Sequence, residues 1–479
     1  MSYIGKQLNV PASTVQLTAE GAITAGKAVA SQSNGTVTAI SSITAGFGSE
    51  VVFESASSRD NGITYDTTND KVVIVYQDTG NSGYGTAVVG TVSGKAISFG
   101  TPVVFESAAT TYNVAAFDST NDKVVVAYRD EGNSNYGTAI VGTVSGTSIS
   151  FGSAVVFESA RADYITIAYD VNAQKAVIAY RDYPNGLYGT AIVGTVSGTS
   201  ISFGTAVVFE SAYSNMPVMT YEANAQKVVI AYSDADNSNY GTAIVGTVSG
   251  TSISFGSAAV FESATTAYIG IGFDSTANKV IVAYSDDGNS AYVTAVVGTV
   301  SGTGISFGTP VVVASNNSEY VTVTYNSASN TTFVSWMSIT DSNYGAYALG
   351  TVSGTSISFS SSAFFASAHS SYQAAVYDPD QETVVIAYTD HGNSNYGTAI
   401  AYQDFSSNAS NFIGLAENDC TDNGLATIQL GGSVNDKQTS LTAGQTYFVQ
   451  NNGTIGTTAA SPSVTAGTAV SSTEILVKG

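Results

Sequence analysis

Residues 112–160 read YNVAAFDSTNDKVVVAYRDEGNSNYGTAIVGTVSGTSISFGSAVVFESA, and close copies of this stretch fill most of the chain. The Phe in the last apolar part of each copy recurs every 52 residues without insertion, at Phe47, Phe99, Phe151, Phe203, Phe255, Phe307 and Phe359. A fixed period near this length indicates a solenoid, a propeller or another array of repeats. The fold is therefore decided by what a single copy can form.

Four apolar runs separated by turn residues divide this copy. They are residues 112–117, 123–130, 136–144 and 149–158, and the pattern predicts a β-strand for each. The second run is apolar on both faces, as expected for a strand packed between two neighbouring sheets. Four antiparallel strands in each of seven copies predict an all-β fold, a seven-bladed β-propeller. Loops are predicted between the second and third strands and between the fourth strand and the next copy.

The two ends of the repeated region are out of phase. A first copy of the fourth strand, residues 47–54, precedes any first strand, and the last copy stops after its third strand near Asp404. We therefore expect the N-terminal strand to complete the last blade. This pairing would close the ring by hydrogen bonds and leave no open sheet edge at the seam.

Residues 1–42 and 406–479 do not fit the repeat. Both contain [Ile/Leu]-Thr-Ala-Gly, five residues and then Gln-x-Asn-Gly-Thr, at residues 23–36 and 441–454. Short alternating runs and Asn-Gly turns predict hairpins in both segments. We predict one small β domain built from both chain ends, with the propeller, residues 43–405, inserted between them. Two unrelated tails are the alternative.

Composition limits the classes of partner. The chain has 36 acidic and 14 basic residues and a formal net charge of −22, which disfavours nucleic acid and anionic membranes. No window approaches the length of an apolar membrane span, so no membrane insertion is expected. A single cysteine, Cys420, excludes an intrachain disulfide. The N-terminus lacks the apolar core of a signal peptide, which predicts synthesis in a cytoplasm without export.

The C-terminal segment resembles a segment of tailed-phage virion proteins, in particular tail-fibre and head-decoration proteins of marine phages. The motifs that carry the resemblance are Phe412-Ile-Gly414, Gly431-Gly432, Leu441-Thr-Ala-Gly444, Tyr447-Phe-Val-Gln450, Asn452-Gly-Thr454, Thr465-Ala-Gly467 and Leu476-Val-Lys-Gly479. The resemblance implies a structural protein of the virion, made in the host cytoplasm and docked to other virion proteins through the terminal β domain. It leaves head and tail positions open. A homo-oligomer is one expectation, because such appendages occupy symmetric positions.

The loop Asp130-Glu-Gly-Asn-Ser134 and its copies are rich in side-chain oxygens. One interpretation is a calcium site, since Ca²⁺ prefers oxygen ligands. The other is an Asx turn, in which the Asp side chain accepts hydrogen bonds from loop amides. Repetition in nearly every copy favours the turn, so no cofactor is predicted.

No catalytic centre is predicted. The repeated glutamates at the end of the fourth strand are spaced too widely for an acid–base pair and predict a solvated rim: Glu54, Glu106, Glu158, Glu210 and Glu262. The two arginines Arg129 and Arg181 share one repeat position, but no Glu–Tyr partner for a sialidase reaction can be identified.

The loops of one predicted face vary between copies, whereas the Val-Ser-Gly-Thr turn of the opposite face hardly changes. Loops on a rigid scaffold commonly carry recognition residues. The candidate ligand-binding residues are Arg59, Arg161, Tyr183, Tyr213, Trp336, His369 and His391. We therefore predict a non-enzymatic virion surface protein, a fibre or a decoration, whose loop face attaches to a host receptor or glycan. The alternatives are a passive capsid decoration protein, a carbohydrate-binding lectin or a glycan-degrading propeller.

Overall fold

The computed structural model describes residues 13–32, 34–404, 406–460 and 463–478. The chain divides into two compact units, Phe47–Gln403 and a second unit formed from Met1–Gly46 and Asp404–Gly479. The parts of the predictions that lie outside the described residues are the first twelve residues of the terminal domain, Ser33 in its first motif, Phe405 at the end of the predicted propeller, Ser461 and Pro462, and Gly479 in the last motif. The all-β class is confirmed, because repeated antiparallel strands dominate the described chain.

Among the described residues, four kinds of strand recur in the first unit. The long strands are Val51–Asp66, Val103–Asp118, Val155–Asp170, Val207–Glu222, Ala259–Asp274, Val311–Asn326 and Ala363–Asp378, which number the repeats one to seven. The second strands are Lys71–Asp78, Lys123–Asp130, Lys175–Asp182, Lys227–Asp234, Lys279–Asp286, Thr331–Ser338 and Thr383–Asp390. The third strands are Tyr84–Ser93, Tyr136–Ser145, Tyr188–Ser197, Tyr240–Ser249, Tyr292–Ser301, Tyr344–Ser353 and Tyr396–Gln403. The short strands are Gly46–Phe47, Ala96–Phe99, Ser148–Phe151, Ser200–Phe203, Ser252–Phe255, Gly304–Phe307 and Ser356–Phe359.

One-turn 3-10 helices follow five of the second strands: Thr79–Asn81, Glu131–Asn133, Ala235–Asn237, Asp287–Asn289 and His391–Asn393. No helix in the described ranges is long and apolar enough to cross a membrane.

Each long strand belongs to two repeats. Its first half pairs with the third strand of the preceding repeat, as in Val103 opposite Ala87. Its second half pairs with the second strand of its own repeat, as in Ala115 opposite Val126. The first half of Val51–Asp66 pairs in the same way with Tyr396–Gln403. A strand from the N-terminal end of the repeats therefore completes the sheet of the last repeat.

The prediction of a loop between the fourth strand and the next copy is wrong. The long strand runs through this place without a break, and it changes partner at a register shift between Thr111 and Val114. Tyr112, at the shift, has a φ of 54°. The backbone of this strand stays paired beside the shift, since Thr110 N donates to Gly83 O at 3.0 Å. A bulge therefore replaces the loop, because both halves keep their ladders.

The predicted fourth strand, residues 149–158, is also interrupted. It consists of the short strand Ser148–Phe151 and the start of Val155–Asp170. Gly152 lies in the gap, where a Cβ atom would overlap the carbonyl oxygen of Thr199 in the next repeat's turn. Ser360 occupies the equivalent position before the last long strand, where the following third strand ends at Gln403 and the Val-Ser-Gly turn is missing. At this repeat position, glycine thus occurs where the turn of the neighbouring repeat comes close.

The core of this unit lies between successive sheets. Val124 and Val126 face one neighbouring repeat and are fully buried. Val125 and Ala127 face the other, where they pack with Ile178. Full burial of such a side chain stabilises the fold by about 1.5–3 kcal/mol. Packing against a neighbouring repeat on each side therefore explains why the second strand is apolar on both faces.

The second unit consists of short strands from both chain ends. One sheet has the order Thr14–Thr18, Leu425–Gln429, Phe412–Ala416, Ala28–Ser31 and Val37–Ala39. Another has the order Val434–Asn435, Ile475–Val477, Thr465–Ala469, Thr446–Val449 and Ile455–Gly456. A two-stranded pair joins Ser42–Ile43 to Ser406–Ser407, and a 3-10 turn covers Asn408–Asn411.

The two copies of the terminal motif form the same turn. Gly35 N donates to Gln32 O at 3.1 Å, and Gly453 N donates to Gln450 O at 2.9 Å. In each copy the Thr hydroxyl donates to the Asn side chain two residues earlier at 2.6 Å. The shared motif therefore specifies a local hydrogen-bonded turn.

Candidate ligand-binding site

Four side-chain positions recur around the bulge of each long strand. In the seventh repeat they hold His369, Ser371, Thr389 and His391, in the third repeat Arg161, Asp163, Arg181 and Tyr183, and in the first repeat Ser57, Arg59, Gln77 and Thr79. Two of the positions lie on the long strand and two at or just after the end of the second strand. One backbone framework thus presents a different set of side chains in each repeat.

A groove of about 670 Å³ opens among the sixth, seventh and first repeats. Three predicted ligand-binding residues line it together: Arg59, His369 and His391. The other lining residues are Ser57, Glu319, Tyr320, Met337, Ile339, Asn343, Ser371, Tyr372, Thr389 and Asn395. The groove combines hydroxyl, amide, imidazole and guanidinium groups with two aromatic rings and two apolar side chains.

The two histidines stack face to face in this groove. Their ring centroids are 3.7 Å apart and their planes differ by 6°. His391 Nε2 lies 2.8 Å from Ser371 Oγ, which fixes the orientation of the ring. Burial, His369 and Arg59 lower the pKa of His391, and Asp390 opposes them only in part. The lowered pKa favours the neutral form of the His391 ring.

The guanidinium of Arg59 has no hydrogen bond or salt bridge to any described residue, and its side chain is exposed. The three other arginines of the chain all bind Asp163. Arg59 therefore keeps its donors available on the wall of the groove.

Two tyrosines form the inner wall of the groove. The rings of Tyr320 and Tyr372 are 5.1 Å apart. Both residues sit at the bulge of a long strand with φ near 50°, and this backbone conformation fixes the direction of the side chains. Glu319 lies beside Tyr320, and burial together with Glu319 raises the pKa of the neighbouring Tyr268 to about 12. Glu319 therefore interacts with Tyr268 of the fifth repeat, which does not line the groove.

Arg161, Tyr183 and Tyr213 form a different cluster around Asp163. Arg129 Nη1, Arg161 Nε and Arg181 Nη2 contact the Asp163 carboxylate at 2.5, 3.0 and 2.9 Å. Burial alone would raise the pKa of the Asp163 carboxyl, but these three hydrogen bonds hold it below its usual value. The carboxylate is completely buried, so it neutralises the arginines from inside the protein.

The two tyrosines of this cluster are held by the same arginines. Arg161 stacks on the Tyr183 ring at 4.4 Å, and Arg181 Nη1 donates to Tyr213 Oη at 2.8 Å. Tyr183 remains 49% exposed. These predicted ligand-binding residues thus lie together, but they do not line the groove.

The prediction that Trp336 contacts a ligand is wrong. Trp336 is only 1% exposed and packs with Ile281 and Val321 in the core between repeats. It occupies the second-strand position where other repeats carry a buried Tyr, such as Tyr284. Trp336 lies inside the strand Thr331–Ser338, and its side chain faces the sheet of the fifth repeat.

The repeated glutamates do not form a freely solvated rim as predicted. Each is partly buried and accepts a hydrogen bond from a buried tyrosine, as Glu106 does from Tyr128 at 3.1 Å and Glu158 from Tyr180 at 2.9 Å. Burial raises the pKa of both carboxyl groups. These glutamates are part of the packing between strands.

The Asp-rich loops form capping turns. Asp130 Oδ1 accepts a hydrogen bond from Asn133 N at 3.1 Å and caps the 3-10 helix Glu131–Asn133. Within the described chain, no group of three or more His, Cys, Asp or Glu side chains is arranged to hold a metal ion. The Asx-turn interpretation therefore accounts for the oxygen-rich loop.

Several groove residues were not predicted from the sequence, among them Glu319, Tyr320, Ser371 and Tyr372. The repeat spacing contains a signal for them, because Tyr recurs at the bulge in five of the long strands. The same spacing aligns Asp163 with Arg59 and so marks a reversal of charge at one position.

No protein-family profile matches the chain, and no curated protein resembles it significantly in sequence. Solved structures that it resembles include the BP39L lectin from Burkholderia pseudomallei, with a TM-score of 0.53, 10% identity and coverage of 74% of this chain and 98% of the lectin. They also include the intramolecular trans-sialidase from Ruminococcus gnavus, with a TM-score of 0.45, 10% identity and coverage of 74% and 97%. The SapL1 lectin, solved with alpha methyl fucoside, has a TM-score of 0.41, 12% identity and coverage of 65% and 98%. The likeness to BP39L supports a β-propeller-like fold.

Proposed function

We propose that the chain is a non-enzymatic carbohydrate-binding protein. In this proposal the repeats form a seven-bladed β-propeller, closed by the N-terminal strand and inserted in a β domain built from both chain ends. The sugar binds in the groove that Arg59, His369 and His391 line. The observation that carries the proposal is the groove itself, which gathers these residues from repeats far apart in the sequence.

The chemistry of the groove suits a sugar ring. A sugar offers hydroxyl groups around its edge and a weakly apolar face of C–H groups. Tyr320 and Tyr372 supply aromatic surface, while Asn343, Asn395 and the histidines supply hydrogen-bonding groups. Small-molecule sites commonly combine apolar walls with a few placed polar groups in about 300–1,000 Å³. The groove, at about 670 Å³, can hold one or two sugar rings.

A binding role is favoured over glycan cleavage. Glycoside hydrolysis commonly needs two carboxyl groups about 5–10 Å apart on either side of the bond. Glu319 is the one acidic side chain among the described residues that line the groove. In the Asp163 cluster, the three arginines are already bound to a carboxylate of the protein itself.

We further propose that the protein is displayed as a homo-oligomer on the particle of a tailed phage. Its terminal unit would dock to other virion proteins. The support for this placement is the resemblance of the terminal motifs, from Phe412 to Lys478, to segments of phage virion proteins. In this setting the groove would attach the particle to a host glycan. An antibody against the chain should label purified phage particles, and particles that carry no chain would contradict the placement.

The sugar-binding proposal is tested by His369→Ala. Removal of the ring takes away one wall of the groove and should weaken glycan binding about tenfold, or about 1.4 kcal/mol. Affinity is measured by calorimetric titration of the full chain with oligosaccharides selected on a glycan array. The matched control is Thr265→Ala, which changes the same repeat position outside the groove. A chain that binds no glycan, or an equal loss in both variants, would overturn the proposal.

A further inference from the structure

We infer that the sugar recognised in this groove is acidic, and that its carboxylate binds the guanidinium of Arg59. This inference rests on the proposed sugar binding and deepens it, because it specifies the class of ligand.

The state of Arg59 is the first support. Guanidinium groups in proteins commonly bind carboxylates through two parallel hydrogen bonds. Arg129, Arg161 and Arg181 already use donors of this kind on Asp163. The Arg59 guanidinium has no such partner among the described residues, although it lies on the wall of a groove. An acidic ligand would supply the missing acceptor.

The neighbours of Arg59 give the second support. His369 lines the groove with Arg59 and offers a ring N–H group, while Ser371 Oγ holds the stacked His391 ring at 2.8 Å. Ser57 adds a hydroxyl donor to the groove. Hydrogen-bond donors therefore surround the place where the carboxylate would sit.

The acidic side chain of the groove lies at its other end. Glu319 belongs to the sixth repeat and interacts with Tyr268 of the fifth, whereas Arg59 belongs to the first repeat. The groove therefore has a cationic end and an anionic end. An acidic sugar fits at the Arg59 end, and a neutral ring of the same oligosaccharide fits towards Glu319.

The negative net charge of the chain means that a preference for acidic sugars must arise from local contacts. A chain with net charge −22 repels acidic polymers at long range, so general electrostatic attraction cannot produce their binding. Binding of an acidic sugar must come from local contacts, and the contact expected to dominate is the one with Arg59.

Acidification should strengthen binding of the acidic sugar. The charged or titratable groups around this end of the groove are Arg59, Asp60, His369, Tyr372, Asp390 and His391, whereas Glu319 lies at the other end. Burial raises the pKa of Asp60 to about 6, with Arg129 opposing, so Asp60 loses its charge between pH 7.5 and 5. This loss makes the Arg59 end more positive, while a sugar carboxylate stays ionised.

The test compares a uronic-acid or sialic-acid oligosaccharide with its carboxyl methyl ester, which has nearly the same shape and no charge. Calorimetric titration of the full chain at pH 7.5 should show the acid binding about tenfold more tightly than the ester. Arg59→Gln should abolish this difference. Arg161→Gln removes the same charge outside the groove and should retain it. At pH 5 the preference for the acid should increase in the wild-type chain.

The outcomes separate this inference from the proposal on which it rests. Equal affinity for acid and ester, with a loss in His369→Ala, would overturn the acidic-sugar inference and leave the sugar-binding proposal standing. Loss of the acid preference to the same degree in both arginine variants would also overturn the inference. Binding of neither compound, nor of any neutral glycan, would overturn the sugar-binding proposal as well. Melting temperatures of the variants confirm that each one is folded.

Discussion

At one position of the long strand, the first repeat carries Arg59 and the third carries Asp163. The same backbone thus holds a free guanidinium in one place and a buried carboxylate with three arginine partners in another. Side-chain identity at this position is one difference between the groove and the closed ion cluster. The third repeat also lacks the 3-10 helix that follows the second strand in the first and seventh repeats.

The buried cluster predicts a large effect of Asp163→Asn on stability. Removal of the charge leaves Arg129 and Arg181, which are nearly buried, without their anionic partner. The free energy of unfolding should fall by about 3–5 kcal/mol, the usual cost of breaking a buried ion pair from one side. Denaturant titration monitored by tyrosine fluorescence measures this change.

Arg161→Gln provides the comparison for that measurement. The Arg161 side chain is 43% exposed, and pairs of this kind contribute about 0–1 kcal/mol. If Asp163→Asn and Arg161→Gln changed the unfolding free energy equally, Asp163 would not be the centre of the cluster.

The Tyr–Glu pairs show what residue spacing can reveal. Repeat six replaces both members, with Trp336 for the tyrosine and Ala314 for the glutamate. Repeat seven has Ala366 in the glutamate position, and its Tyr388 donates instead to Glu50 at 2.8 Å. The glutamates alone looked like a solvated rim. Their partner could have been inferred from the repeats, since the tyrosine and the glutamate change together in repeat six.

At the scale of the element, the long strand is the feature that sequence reasoning misplaced. Polar residues such as Ser159 and Asp163 interrupt the apolar alternation and resemble a loop. The structure keeps them in the strand, because a bulge lets the two halves pair with different repeats. The alternation of apolar and polar residues within one strand does not show which strands pair with it. The bulge, at which the pairing strand changes, could therefore not be predicted from this pattern.

Packing between the third strand and the next long strand predicts a compensating pair of substitutions. Gly137 leaves room for the ring of Phe157, and a Cβ atom would overlap that ring. At the equivalent places, the third strand of the fifth repeat has Val293 and the long strand of the sixth repeat has Val313. Gly137→Val alone should therefore destabilise the chain by about 1–3 kcal/mol through overpacking.

The double variant Gly137→Val with Phe157→Val should recover much of that loss, because it reproduces the pair of Val293 and Val313. Denaturant unfolding of the four chains forms a double-mutant cycle. The account predicts a favourable coupling between the two changes. Strictly additive losses would show that the side chains do not share this space.

At the scale of the whole molecule, the acid–base balance predicts how stability depends on pH. Burial raises the pKa of many carboxyl groups in the fold, including Glu54, Glu106 and Glu158, and that of Asp60 to about 6. A raised pKa means that the folded chain binds protons more tightly than the unfolded chain. Stability should therefore increase as the pH falls from 7.5 to about 5.

Asp163 acts in the opposite direction, because its pKa lies below the usual value and its contribution is lost when it is protonated. The melting temperature should rise from pH 7.5 to pH 5 and fall again below about pH 3.5. Scanning calorimetry across this range tests the prediction. A melting temperature that falls steadily from pH 7.5 would contradict it.

The architecture was more accessible from the sequence than the site. The constant spacing of Phe47 and its equivalents determines the order of strands without knowledge of any contact. The groove depends on which repeats face one another, and it joins Arg59 to Glu319 across much of the chain. Arg59, His369 and His391 were predicted as ligand-binding residues because the sequence varies between repeats at their positions. Only the structure separates them from Arg161 and Tyr183, which were candidates for the same reason.

The most direct measurement is a crystal structure of the full chain with a bound acidic oligosaccharide. The account predicts sugar density in the groove between the stacked histidines and Tyr320, with the carboxylate of the ligand against the guanidinium of Arg59. Sugar bound elsewhere, for example on the exposed ring of Tyr183, with the groove left empty, would contradict it.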